Sequence, residues 1–90
     1  MKIKVDIQNV QETLEAPDAA AMLRRVKEEA SSRAPFLLRG VIRAMGDLTF
    51  AGEAVKRHNS SKGTSDPIPA SAQEFLDWSV ARGYVTILEA

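Results

Sequence analysis

Residues 71–90, SAQEFLDWSVARGYVTILEA, are the part of the sequence that indicates the fold most clearly. Its first residues form a capping-box pattern, in which Ser71 and Glu74 can each accept a hydrogen bond from a backbone N–H at a helix start. Gly83 is a residue typical of helix ends, and the apolar, β-branched residues 84–88 then predict a strand. Between cap and glycine, apolar residues recur at helical spacing: Phe75, Leu76, Trp78 and Val80.

The opposite end of the chain predicts a second strand. Ile3, Val5 and Ile7 alternate with polar residues, which is the period of a half-buried strand of about six residues. We expect the two terminal strands to pair. Residues 8–16 carry a weaker pattern, in which Val10 and Leu14 stand four apart, so we expect either a turn of helix or an irregular link.

Three further helices are predicted within residues 17–58. Pro17 suits the first position of a helix, and the apolar stripe that follows must end before Pro35. Thr49 is the expected N-cap of a short helix that reaches about His58. Residues 59–70 are rich in Ser, Gly and Pro, and we expect them to form a flexible loop.

The helix that opens at Pro35 is the most apolar of the four. Its Arg39 and Arg43 are four residues apart and share one polar edge. We therefore expect this helix to be buried on most sides and to form the core. The apolar residues are Phe36, Leu37, Leu38, Val41, Ile42, Met45 and Leu48.

Composition indicates one ordinary globular domain over residues 1–90, with 44% apolar and 27% charged residues. The chain has no cysteine, which excludes disulfides, thiolate metal sites and a cysteine nucleophile. The sequence lacks the unbroken apolar run of a signal peptide or a membrane span, so we expect a cytoplasmic protein. The expected fold class is α+β, a small and mostly helical domain with the element order β-α-α-α-α-β.

The charge is unevenly distributed, although the net charge is zero. Residues 22–62 hold nine basic and four acidic residues, while the flanks hold three basic and eight acidic residues. Either the basic segment presents an anion-binding face, or the acidic ends fold back over it. The candidate anion or nucleic-acid face comprises Arg39, Arg43, Lys56 and Arg57.

The predicted elements end in three helices and a strand, with Leu48-Thr49 at the start of the middle helix and Gly83-Tyr84-Val85 after the last one. This arrangement resembles the winged-helix pattern over about residues 35–88. That resemblance implies DNA binding through the third helix, here residues 71–82, and makes the fold winged-helix-like. However, Glu74 and Asp77 lie where phosphates would approach, which argues against the usual docking. The chain also departs from the family in its long loop, its missing wing hairpin and its extra N-terminal elements.

No chemical constellation stands out in the sequence. His58 is the single histidine and lacks a partner at helical spacing, so we assign no catalytic, cofactor or metal residues. We therefore expect a non-catalytic interaction module, or a small accessory subunit, that binds a protein partner or a second copy. Trp78 and Tyr84 are the candidate interface residues, because Trp and Tyr are enriched in interface cores, although Trp78 also fits a core position against the N-terminal strand. The alternative is a winged-helix-like DNA-binding regulator. No enzyme, small-molecule substrate or membrane association is expected.

Overall fold

The computed structural model describes residues 1–7 and 10–90. In this part of the chain, four helices pack on a three-stranded antiparallel sheet, which confirms the predicted α+β class. The elements, in chain order, are β1 (Lys2–Ile7), β2 (Val10–Glu15), α1 (Ala19–Arg33), α2 (Phe36–Ala44), α3 (Asp47–Lys62), α4 (Ala72–Ala81) and β3 (Val85–Glu89).

The sheet has the strand order β2-β1-β3, with β1 in the middle and antiparallel to both neighbours. Ile3 faces Ile87 and Val5 faces Val85 across the β1–β3 pair. The predicted pairing of the two terminal strands is therefore confirmed. It joins the two ends of the chain in one sheet.

Strand β2 corrects the expectation of a helical turn or an irregular link before Ala16. A spacing of four residues fits a helix turn, but it also equals two strand periods. Val10 and Leu14 lie on the same face of β2, and Leu14 is buried while Thr13 is exposed. Gln8 and Asn9, which belonged to the same expected link, lie outside the described residues.

Two clusters of buried side chains form the core. The first lies between the sheet, α1 and α4, and the second lies between α1, α3 and α4. Helices α1 and α4 contribute to both clusters, so they connect the sheet to α3. The first cluster contains Ile3, Leu14, Ala16, Met22, Leu76 and Val85, and the second contains Leu23, Ala51, Val55 and Phe75.

The two ends of α4 follow the expected chemistry. The Ser71 hydroxyl accepts a hydrogen bond from the Glu74 N–H at 3.1 Å. The Glu74 carboxylate accepts from the Ala70 N–H at 2.6 Å, one residue before the position that a strict capping box would use. Gly83 has a φ of 80°, a left-handed conformation that favours glycine, and β3 follows directly.

Helix α1 begins later than predicted. Asp18 is its N-cap, and the carboxylate accepts from the Ala21 N–H at 2.8 Å. Pro17 therefore precedes the cap and does not occupy the first helical position. The helix ends at Arg33, ahead of Pro35 as expected.

Helix α3 is longer than predicted at both ends. Its N-cap is Gly46, and not Thr49, and it runs to Lys62 before Gly63 ends it with a φ of 67°. Residues 59–62 of the expected loop are therefore helical. Gly63 explains the later end of the helix, because it is the first glycine after Thr49 that adopts the left-handed conformation of a C-cap.

Helix α2 overturns the expectation of a core helix, since none of its residues is buried. Its main neighbour is α1. One neighbour covers one side of a helix, and here that side includes the half-buried Ile42. The rest of the apolar surface faces outward.

No helix in residues 1–7 and 10–90 combines the length and the apolar character that a membrane span requires.

Candidate interaction surfaces

The most exposed apolar surface of the described chain lies on α2. Phe36 is 83% exposed, Leu37 is 84% exposed and Val41 is 53% exposed. At 100° per residue, these three side chains share one side of the helix with Gly40 and Ala44. We call these five residues the α2 face.

Helix α2 is fixed to α1 by polar contacts near both of its ends. Near its start, Arg39 Nε donates to the Ala34 carbonyl at 3.1 Å, and the Ser31 hydroxyl donates to the Arg39 carbonyl at 3.3 Å. At its end, Lys27 Nζ donates to the Met45 carbonyl at 2.7 Å. These contacts hold the helix in place with the α2 face outward.

The four residues of the candidate anion face lie on two helices, Arg39 and Arg43 on α2, and Lys56 and Arg57 on α3. Arg43 lines a shallow pocket of about 470 Å3 beside α1, together with Arg24 and Lys27. Arg57 lines a different and larger groove. Lys56 Nζ lies 3.3 Å from a Glu53 carboxylate oxygen.

Five of the nine basic residues of segment 22–62 form ion pairs in the described chain. Most of their acidic partners belong to the same segment, and Glu12 of β2 is the partner from a flank. These pairs use all four acids of the segment and one acid from a flank, so the segment keeps its excess of basic residues and the ends of the chain do not cover it. The paired bases are Arg24, Arg25, Lys27, Arg33 and Lys56.

Trp78 and Tyr84, the candidate interface residues, lie together in a half-buried aromatic cluster. The Trp78 ring stacks on Phe75 with 5.9 Å between centroids and lies 5.7 Å from the Tyr84 ring. Trp78 Nε1 donates to Asp66 Oδ2 at 2.9 Å. The polar tips of both rings are therefore used within the chain, and their role at an interface stays a prediction.

His58 belongs to the same cluster, although its neighbours in the sequence gave no sign of this. The His58 side chain is 8% exposed, and its Nδ1 shares a hydrogen bond of 2.7 Å with the Tyr84 hydroxyl. Its Nε2 lies 3.7 Å from Asp66 Oδ2 and has no hydrogen-bond partner among the described residues. Because the partners are 8 and 26 residues away in the chain, no local spacing could have revealed this arrangement.

Asp66 is the polar centre of the cluster. Arg82 donates to its carboxylate through two nitrogen atoms, one of them Nε at 2.8 Å. The hydrogen bonds from Arg82 and then from Trp78 hold the pKa of Asp66 below its ordinary value. The Asn59 side chain, on α3, also bonds both the N–H and the carbonyl of Asp66 at 3.0 Å. Asp66 therefore connects the segment after α3 to α3 and α4.

A second carboxylate with a shifted pKa supports the α1–α3 contact. The hydrogen bond from Lys27 to Asp47 lowers the pKa of Asp47, and Arg24 adds to this effect. Lys27 Nζ lies 3.0 Å from Asp47 Oδ1. Because Lys27 also bonds the Met45 carbonyl, it ties the α2–α3 connection to α1.

The larger groove, of about 940 Å3, opens beside the aromatic cluster between the sheet, α1, α3 and α4. Its floor is apolar, with Val5, Phe50 and Leu76 among its lining residues. Charged residues of both signs lie at its edge: Asp6, Glu12, Glu29, Arg33, Arg57 and Lys62.

In the described part of the chain, no three His, Asp or Glu side chains come close enough to hold a metal ion. Comparison of the chain with protein-family models, with curated proteins and with solved structures finds no match in any of the three.

Proposed function

We propose that the protein is a non-catalytic interaction module that binds a protein partner through the α2 face. The observation that carries the proposal is the exposure of Phe36 and Leu37, each more than 80% open to solvent on a folded helix. Contiguous apolar patches of this kind mark interaction surfaces on small proteins.

The area of the patch is consistent with this role. From the exposures of Phe36, Leu37 and Val41 and their flanking residues, the patch offers about 500 Å2 of apolar surface. Removing that area from water would contribute about 12 kcal/mol before the costs of association. Those costs are about 4–15 kcal/mol, so binding by this face is energetically reasonable.

The attachment of α2 favours binding further. The contacts of Arg39, Ser31 and Lys27 hold the helix before a partner arrives. A partner therefore does not have to order the helix, and the free energy of ordering is not subtracted from the affinity.

A photo-cross-linking residue tests the proposal in the cells that naturally make the protein. It replaces Leu37 in one variant and Leu88 in a matched control, because Leu88 is also an exposed leucine but lies on β3. We expect cross-linked protein adducts from position 37 and few from position 88. Equal labelling at both positions, or no adduct at position 37, would contradict the proposal.

A further inference from the structure

We infer that the partner of the α2 face is a second copy of this chain, which packs its own α2 across it in an antiparallel pair. This inference rests on the proposed function and names its partner. In such a two-fold contact, the same five residues are present on both sides.

The charge of the α2 face favours an uncharged partner surface. The face itself carries no charged side chain, and Arg39 and Arg43 lie at its edge. The Arg39 guanidinium is directed to the Ala34 carbonyl, on the side of α1. The α2 face of a second copy is likewise uncharged, so apolar surface meets apolar surface at the centre of the pair and the arginines stay at its rim.

The sizes of the side chains favour the antiparallel direction. Phe36, Gly40 and Ala44 form one row of the helix, four residues apart, with the largest at one end and a small one at the other. An antiparallel crossing at Gly40 places Phe36 of one copy against Ala44 of the other. A parallel crossing would place Phe36 against Phe36 and leave a gap at Ala44.

Gly40 itself fits the centre of such a crossing. A Cβ at this position would meet nothing within 4 Å, so packing within the chain does not require glycine. A glycine inside a helix costs up to about 1 kcal/mol relative to alanine. At the crossing point, the missing side chain lets the two helices approach closely.

The area is sufficient for a specific pair. Each copy would bury about 500 Å2 of the α2 face and its rim, so the pair would bury about 1,000 Å2, the lower bound for a specific interface. We therefore expect a reversible dimer and not a permanent one.

Sedimentation velocity of the purified chain over a wide concentration range tests the inference, with three variants. Gly40→Leu inserts a side chain at the crossing, and we expect self-association to weaken by about tenfold or more. Leu37→Glu should also weaken self-association, while the control Leu88→Glu should leave it unchanged. Since leucine is the better helix former, the fold of Gly40→Leu is retained, and its unfolding midpoint verifies this.

A cysteine cross-link tests the geometry. The chain has no cysteine, so Gly40→Cys is a single-cysteine variant in which a disulfide can form only between copies. Since residue 40 lies on the two-fold axis, oxidation should yield a dimer of Gly40→Cys. Leu88→Cys should yield far less.

Salt separates this pair from an acidic partner. The two-fold axis places Arg39 and Arg43 of both copies along the same side, so added salt should strengthen self-association by screening their repulsion. An acidic partner would be released by salt.

The inference is overturned if the wild-type chain stays monomeric at millimolar concentration, or if Gly40→Leu associates more strongly than wild type. In either case, cross-linking of a different protein at position 37 would leave the proposed function standing. Absence of any adduct at position 37 would remove the proposed function as well.

Discussion

Helix α2 and the segment from residue 59 to residue 70 follow their compositions to different extents. The helix is the most apolar element of the chain, yet none of its residues is buried. The segment is rich in Ser, Gly and Pro, and most of its residues are exposed as that composition indicates. It is nevertheless fixed to the fold, because Asn59 and Asp66 bond each other and Pro69 is buried. Composition therefore indicates what a segment could bury, while the number of neighbouring elements decides what it does bury.

The neighbours explain both cases. Helix α2 packs mainly on α1, so most of its circumference has no cover. The segment crosses α3, where a Cβ at Gly52 would lie only 3.1 Å from Ile68 Cγ2. Because Gly52 has no side chain, Ile68 can approach α3 this closely, and the hydrogen bonds of Asp66 hold the segment in that position.

The largest difference in unfolding free energy should appear when leucine is replaced by alanine at a buried core position and on the exposed α2 face. Leu76→Ala removes a side chain that is 1% exposed and should lower the free energy of unfolding by about 2–5 kcal/mol. Leu37→Ala should change it by less than about 0.5 kcal/mol at dilutions where the chain is monomeric. Urea denaturation of both variants measures this, and a large loss for Leu37→Ala would mean that α2 is covered.

The Asp66 bonds should make stability depend on pH in the acid range. Because the pKa of Asp66 is lowered in the folded state, the unfolded chain binds more protons as the pH falls below about 3.8. The stabilisation is therefore complete above that pH and is lost as the pH falls through the lowered pKa. Asp47, whose pKa is also lowered, contributes in the same direction.

The variant Asp66→Asn isolates the contribution of Asp66 to the pH dependence of stability. We expect a lower unfolding midpoint at neutral pH and a smaller loss of stability between neutral pH and acid. Asp77→Asn is the control, because Asp77 is exposed and accepts its hydrogen bond from Gln73 on the same helix. If both variants follow the wild-type pH profile, Asp66 does not hold the segment.

Replacing two helical glycines by alanine should change stability less than the substitutions above, and at Gly40 it should raise stability. Gly40→Ala should stabilise the monomer by up to about 1 kcal/mol, because its surroundings are open. Gly52→Ala has the same helical gain but forces Ile68 to move, so its stability should be lower than that of Gly40→Ala. Thermal unfolding of the dilute variants measures the difference, and equal gains would show that the segment is not packed on α3.

The smallest expected effect concerns DNA. Lys56 is paired with Glu53, and Arg43 and Arg57 line different pockets, so the candidate face offers no continuous basic surface. We therefore expect no binding of random duplex DNA at physiological salt, read by anisotropy. Binding that weakens steeply with salt would favour the DNA-binding alternative. Charge reversal at Arg39 and Arg43 would then test whether they form the contact.

Local sequence patterns are sufficient to predict the secondary structure at both ends of the chain. The Ser71 cap, the end of α4 and the strands around Ile3 and Val85 follow from hydrogen bonding and periodicity within a few residues. The same patterns also predict that Pro35 separates two helices. The spacing of Val10 and Leu14 was ambiguous, because four residues fit both a helix turn and a strand.

The tertiary structure alone decided which surfaces are covered and which side chains meet. The apolar pattern of α2 is the same whether a neighbour covers it or not, so its exposure could not be read from residues 36–44. The meeting of His58, Asp66 and Tyr84 depends on the packing of α3 against α4 and β3. Both outcomes depend on contacts between distant parts of the chain, which local propensity does not encode.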